Sequence, residues 1–297
     1  MFSITLMMVT ALLAGPSIAM AQGASDADVT SEPMTILLMV SDAREEADVQ
    51  AGTETDHIEG GNTDVMVVVH LDPDQQACRA VNLLPNTGIE LEGVGTTRLN
   101  QVMSQNGVDG SVAAVEEYLG VEIDHYGVID LDGVVLAIDA IGGITVNNPE
   151  AFTVGTNEFP AGEITLSGEQ ALLYARQGGE QDVQTRLAQQ KALVQGLIST
   201  VGGATPTNAI PAGLQGSVAD IQDHVLTDID LESALEIGNA YSNCVPSEET
   251  VETIPFVEQG PALDAVTQDE QNIGTTDPAA VQQFAEWLVN GGPAPTE

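Results

Sequence analysis

Two unbroken apolar runs constrain this chain more than any other feature. Thr35–Val40 (TILLMV) and Val65–His70 (VMVVVH) have no polar residue on alternate positions. Strands of that type belong in a sheet covered on both faces, because a half-exposed strand alternates polar with apolar. Cys78–Leu84 reads as a third strand, set off from the second by Asp72-Pro73-Asp74, and Tyr126–Leu131 as another. Helical patterns fall between and after them. Ser111–Leu119 is stopped by Gly120, and Val134–Ile141 ends at Gly142-Gly143. Ser167-Gly168-Glu169-Gln170 has the form of a capping box and starts a helix through Tyr174 and Ala175. Asp182 is a natural N-cap for a long helix, Val183–Val201, with an apolar stripe through Val183, Leu187, Val194 and Leu197. Residues 203–216 read as a loop, Asp230–Ala240 as a helix and Val251–Phe256 as a strand. Asp277-Pro278 opens a final helix through Trp287. The alternation predicts a layered α/β protein with a mostly buried sheet.

Charge narrows the partners. Six Lys+Arg against 45 Asp+Glu give a formal net charge of -39 over 297 residues. Such a field repels nucleic acid and anionic headgroups, which excludes electrostatic nucleic-acid binding. Hydrophobic residues make up 43% and are interspersed with the acids, so the acidity is that of a folded surface. This surface has a halophilic character, since molar salt screens self-repulsion to about 3 Å.

The first 21 residues carry no charge and end in Ala19-Met20-Ala21, a small-x-small site. They read as a signal peptide, with an uncleaved N-terminal anchor as the alternative because no Lys or Arg precedes the apolar run. Residues 22–33 form an acidic linker, and 34–297 are expected to be a single domain, with a core at 34–202 completed by 203–297. Export makes a disulfide between Cys78 and Cys244 the expectation, two buried free thiols being the alternative.

Three polar constellations interrupt the apolar framework: Ser41-Asp42-Ala43-Arg44 after the first strand, Asn62-Thr63-Asp64 before the second, and Arg176 followed by Asp182, Arg186, Gln189 and Gln190. In sheets of this kind, ligands sit where loops leave strand ends. Asp182, Arg186 and Gln189 are spaced to share one helical face. Guanidinium suits phosphate oxygens, and Asp42 with Asp64 suits a hard cation such as Mg²⁺. A surface network of arginines and acids with no ligand is the other reading. Four scattered histidines, His57, His70, His125 and His224, have no metal-ligand spacing, and satisfied or exposed histidines explain them.

The segments TILLMVSDAR, NTDVMVVVHLDP, NLLPNTG, RLNQ, LSGEQALLYAR and DVQTRLAQQKAL, and above all the stretch Tyr118–Pro149, resemble the LytR–CpsA–Psr family in order and spacing. The resemblance implies an extracytoplasmic αβα sandwich around a mostly buried mixed β-sheet, with an apolar lipid-binding cavity for a polyprenyl chain. It also implies transfer of a glycopolymer from a polyprenyl-pyrophosphate carrier to a hydroxyl of peptidoglycan or another wall acceptor, helped by Mg²⁺ and arginines. By position, Asp42, Asp64, Arg176 and Asp182 match catalytic positions of the family, the first two as metal ligands. Arg44, Arg98, Arg186, Gln189 and Gln190 are the candidate substrate-binding residues. Several family arginines are replaced, by Asn62, by the Pro85-Asn86-Thr87 stretch and by Gly178, and Arg186 is offset by one from the usual register. These losses give a second reading, a non-catalytic polyprenyl- or lipid-binding or scaffolding member.

The acidic surface has a measurable consequence. The midpoint of thermal unfolding should rise by roughly 10 °C between about 0.1 M and about 3 M KCl, followed by circular dichroism. A flat or falling midpoint contradicts the halophilic reading.

Overall fold

The computed structural model describes residues 32–43, 56–73, 77–91, 93–175, 189, 192–193, 217–241 and 251–295. The expected signal peptide, most of the expected acidic linker, nearly all of the expected helix 183–201 and the expected loop 203–216 lie outside the described residues.

In chain order, β1 (Met34–Ser41) is followed by a single helical turn, α1 (Asp56–Glu59), and by β2 (Thr63–Asp72) and β3 (Ala77–Leu83). A hairpin of β4 (Gly88–Leu91) and β5 (Gly95–Arg98) leads through a 3-10 turn at Leu99–Gln101 into α2 (Val102–Leu119). Next come β6 (His125–Asp130), α3 (Leu131–Ala140) and β7 (Ile144–Asn148). They are followed by β8 (Phe152–Val154), β9 (Asn157–Phe159), β10 (Gly162–Leu166) and α4 (Gly168–Ala175). After α5 (Val218–Gln222) come β11 (Val225–Thr227) and α6 (Leu231–Ala240). The chain closes with β12 (Val251–Thr253), β13 (Glu258–Leu263), β14 (Glu270–Thr275) and α7 (Pro278–Asn290). The fold is mixed α/β.

Two compact units contain these elements. The first comprises Thr30–Leu131, His224–Ile229 and Ser247–Glu297. It holds a six-stranded mixed sheet of order β11-β6-β1-β2-β3-β12. β1 runs antiparallel to β2 and parallel to β6, and β2 runs antiparallel to β3. The two apolar runs read from the sequence are the two central strands. Ile36, Leu37, Leu38 and Met39 are all at most 1% exposed, so both faces of β1 are covered. Burying a side chain of this kind contributes about 1.5–3 kcal/mol, which is why Ile36–Val40 contains no polar residue. On one face, Leu37, Met66 and Val81 join Val115 of α2 and Phe284 and Leu288 of α7 in a continuous core. The outer strands β11 and β12 have three residues each, and the separate β13–β14 hairpin carries Pro261 in β13.

Both long helices of this unit are fastened by named side chains. α2 kinks at Gly107, whose φ of 71° is a left-handed conformation that favours glycine. The half-helix beyond the kink is capped by Glu59, whose Oε1 accepts the Val108 N–H at 2.8 Å. The expectation of a helix from Ser111 was therefore too short. Glycines 107 and 110 interrupt the periodic pattern, but buried Val102 and Met103 hold the preceding turn. α7 starts as its sequence predicts, with Asp277 Oδ1 accepting the Ala279 N–H at 2.9 Å and Pro278 in the first turn. Its carbonyl end receives Arg79, whose Nε and Nη2 donate to Leu288 O (2.7 Å) and Val289 O (2.9 Å). A cation there complements the negative end of the helix.

The other unit is built around Asp132–Asp223 and Asp230–Pro246. β7 pairs with β10, and β8 with β9. The Ser167 capping box is present, with Ser167 N donating to Gln170 Oε1 (3.0 Å) and Gln170 N to Ser167 Oγ (3.4 Å). Phe152 stacks on Phe159 with ring centroids 4.7 Å apart, and the Tyr174 hydroxyl donates to Asn148 Oδ1 at 3.2 Å.

The remaining differences from the sequence expectation have local causes. The strand expected at Val251–Phe256 stops at Thr253, two residues before Pro255, which has no N–H to donate. The helix expected from Val134 begins at Leu131. The hairpins β4–β5 and β8–β9 have strands of three or four residues and β13–β14 is largely exposed, so none carries a continuous apolar signature. Among the described residues, no helix is long and apolar enough to cross a membrane.

Loss of the Glu59 carboxylate exposes the orphan N–H groups of the second half of α2. Glu59→Ala should cost about 1 kcal/mol in urea unfolding, whereas Glu59→Gln, which keeps an acceptor, should cost less.

Candidate functional site

The strand directions bring a row of polar residues to one end of the six-stranded sheet. β1 and β6 finish there, paired at Ser41 and Asp130. β2 begins there, opposite β1 at Thr63. β3 finishes there, with Leu83 opposite Met66, and β11 begins there, with Val225 opposite Ile129. Across the sheet this end therefore presents His224, Asp130, Asp42, the Asn62–Asp64 segment and the Leu84–Asn86 segment.

Asp42 and Asp64, expected as metal ligands, both lie at this end of the ladder. The β1–β2 register passes from Val40↔Val65 to Ser41↔Thr63 and omits Asp64. Asp64 is thus the extra residue of a β-bulge, a device that re-aims a side chain at the end of a ladder. Its side chain is exposed, and Asp42 is half-buried. Asp42 is held by Asn62. Its N–H donates to Asn62 O (2.8 Å), and its Oδ1 accepts the Asn62 N–H (2.6 Å). Asn62 Nδ2 reaches Asp42 Oδ2 at 3.5 Å. The one hydroxyl hydrogen of Ser104, at the start of α2, is shared between Gln101 O (3.0 Å) and Asn62 Oδ1 (3.3 Å).

The turn that makes this possible depends on Gly61. A Cβ there would collide with the Ser41 hydroxyl and with the backbone and Cβ of Ala43. Ser41 itself is fully buried and structural, its Oγ donating to Ile58 O at 2.8 Å.

Next to Asp42's strand lies a pair the sequence reading missed. Asp130 is fully buried, and His224 Nδ1 lies 2.9 Å from its Oδ2. The backbone repeats the contact, Asp130 N donating to His224 O at 3.1 Å. The two residues are 94 positions apart, so no local spacing announces them. At the opposite end of β6, His125 Nδ1 lies 3.0 Å from Asp228 Oδ2, and this hydrogen bond pushes the imidazole pKa up.

Arg98, expected as a substrate ligand, is engaged elsewhere. Its Nε lies 3.7 Å from the fully buried Asp264 carboxylate. Asp264 also accepts the N–H groups of Arg98 (3.2 Å), Val266 (2.9 Å) and Thr267 (3.0 Å) and the Thr97 hydroxyl (3.1 Å). The Gln101 amide turns its nitrogen to the same carboxylate, 3.0 Å away, and its oxygen to the guanidinium. Burial pushes the Asp264 carboxyl up, but the hydrogen bonds from Thr267, Val266, Thr97 and Arg98 outweigh it and hold it below its ordinary value. Arg79 is likewise committed, to the end of α7.

Of the other expected site residues, Arg44, Arg176, Asp182, Arg186 and Gln190 lie outside the described residues. Gln189, in the second unit, is 3% exposed, and its Oε1 has no hydrogen-bond partner among the described residues. Cys78 is disulfide-bonded, and Cys244, the chain's other cysteine, lies outside the described residues.

Mg²⁺ is commonly held by one or two carboxylates, with water and phosphate oxygens completing its shell. Asp42 and Asp64 at one sheet end fit that requirement. Among the described residues, no group of three or more acids, histidines or cysteines forms an all-protein cage.

Residues 16–279 match the protein-family model described as the LytR_cpsA_psr family. A relative from Bacillus cereus, named polyisoprenyl-teichoic acid–peptidoglycan teichoic acid transferase TagU, is 30% identical over 226 residues, which is 75% of this chain and 69% of that protein. A protein of the same name from Halalkalibacterium halodurans is 28% identical over 228 residues, 74% of this chain and 69% of the relative. Among solved structures, Bacillus subtilis TagV superposes with a TM-score of 0.66 at 24% identity, covering 88% of this chain and 99% of that one. TagT bound to LI-WTA superposes with a TM-score of 0.64 at 16% identity, covering 93% and 99%. At these identities the structural likeness is one of fold.

Asp264 supplies a pH-dependent contribution of defined sign. Its folded pKa lies below the unfolded value of about 3.9, so the stabilisation is present above that pH and is lost as the pH falls through the folded pKa. Asp264→Asn should destabilise by about 3 kcal/mol at pH 7 and flatten the acid limb of the stability curve, measured by urea unfolding from neutral pH to about pH 2.

Proposed function

Because this chain belongs to the LytR–CpsA–Psr family, we propose that it is a cell-envelope glycopolymer phosphotransferase, moving polymer from a polyprenyl-pyrophosphate carrier to a hydroxyl of peptidoglycan or another wall acceptor. The acceptor oxygen forms a new bond to the polymer-side phosphorus. The bridging P–O bond of the diphosphate breaks, polyprenyl phosphate leaves and the acceptor hydroxyl releases its proton. Catalysis of this kind is mostly positioning and charge stabilisation.

The placement of Asp42 and the bulged Asp64 at one sheet end carries the reading. These two carboxylates would hold Mg²⁺, which supplies positive charge against the diphosphate. Asp42 is oriented by its hydrogen bonds to Asn62, and Asp64 is turned outward by the bulge. Arg176, Arg186, Asp182 and Gln189 are assigned to the same reaction as binding groups for the anionic head, on the strength of their family positions. The finer architecture proposed with this function is an αβα sandwich enclosing an apolar cavity for the polyprenyl chain, reached outside the cytoplasm after export.

A specific observation favours the second reading, a lipid-binding or scaffolding member without turnover. The two arginines among the described residues are both bound to structural partners, Arg79 to the end of α7 and Arg98 to Asp264.

One experiment separates the two. Purified protein in high salt is given a polyprenyl-pyrophosphate-linked saccharide, Mg²⁺ and a peptidoglycan acceptor, and released polyprenyl phosphate is measured. The transferase reading expects release that EDTA abolishes and that Asp64→Ala lowers by about 100-fold or more. Absence of turnover, with polyprenyl lipid recovered from the native protein by mass spectrometry, establishes the binder instead.

A further inference from the structure

Two buried or half-buried acids of the first unit are satisfied in opposite ways. Asp264 is compensated by a guanidinium, whereas among the described residues no cation pairs with Asp42. Among those residues, the hydrogen bonds to the Asp42 carboxylate come from Asn62, through its backbone N–H to Oδ1 and its amide nitrogen to Oδ2. Those donors are neutral. They fix the direction of the carboxylate and leave its charge to be balanced by something else.

The amide is itself fixed. Ser104 shares its one hydroxyl hydrogen between Gln101 O, at the entrance of the helix, and Asn62 Oδ1, so the oxygen of the amide faces α2 and its nitrogen faces Asp42. An ionised carboxylate offers about four acceptor positions, and Asn62 occupies one on each oxygen. The half-buried carboxylate therefore keeps further acceptor positions, at the sheet end where the exposed Asp64 also lies.

We propose that Asn62, its amide oriented in part by Ser104, is the positioning residue of the cation site. It aims Asp42 at a divalent cation without neutralising it, so that the cation, and not a side chain, balances this acid. The inference rests on the cation-binding reading above and adds to it the two residues that set the site's affinity.

The test is Mn²⁺ binding to the full-length protein, followed by isothermal titration and by the electron paramagnetic resonance signal of the free ion. Thermal midpoints are recorded beside it. Asn62→Ala should weaken Mn²⁺ binding by about tenfold with the midpoint nearly unchanged, since hydrogen-bonded partners of metal ligands carry effects of that size. Ser104→Ala should weaken it by a smaller factor.

If Asp42→Asn loses Mn²⁺ while Asn62→Ala binds it like the wild type, the positioning role is wrong and the cation site stands. If the wild type binds no Mn²⁺, or Asp42→Asn binds it equally well, the cation reading fails and this role with it. Should Asn62→Ala fail to fold, Ser104→Ala decides, and wild-type affinity in that variant overturns the proposal.

Discussion

The burial of β1 and β2 on both faces is the constraint from which the site follows. A one-residue slip between two such strands would exchange every side chain between faces that are already filled. The ladder is therefore fixed, and with it the places where the strands end. Asp42 and Thr63 inherit a defined position from Leu37, Met39, Met66 and Val68, none of which has chemistry of its own. The register of this pair shifts at Asp64, immediately beside the expected metal ligand. A bulge inside the ladder would disturb the core, but at the terminus it turns one carboxylate outward with little disruption elsewhere.

The arrangement also distinguishes charges that serve the fold from charges that serve a ligand. Arg98 and Asp264 are surrounded by fixed donors and acceptors from β5, the 3-10 turn and the segment after β13. Arg79 closes the end of α7. These groups are spent on the structure, even though an arginine in so acidic a chain is naturally read as a ligand for phosphate. Asp42 differs because its donors are amides, and family membership gives that difference a functional setting.

Much of the framework was legible because it rests on local or periodic signals. The apolar runs marked the central strands, Ser167 and Gln170 closed the predicted capping box, and Asp277-Pro278 opened the last helix. That Asp42 and Asp64 share one end of the sheet followed from their flanking positions on adjoining strands. The bulge that orients Asp64 was not visible, since an extra residue changes pairing without changing composition. Nor was the His224–Asp130 contact or the Arg98–Asp264 network, whose partners are 94 and 166 residues apart. Such pairings are decided by topology, and a single sequence contains no local trace of them. The small hairpins were missed for a different reason: strands of three or four residues are too short to show a period, and the β13–β14 ribbon is largely exposed and needs no apolar pattern.

The shortness of the outer strands has a consequence for a molecule with this charge. In dilute buffer, mutual repulsion keeps copies of so acidic a chain apart, but concentrated electrolyte removes that protection beyond about 3 Å. Solubility in brine then depends on shape. Three-residue borders at β11 and β12 offer an incoming strand too few open hydrogen-bonding groups to extend the sheet, and Pro261 withholds one from the exposed ribbon. The backbone thus supplies a safeguard against fibrous aggregation in the medium where charge no longer can.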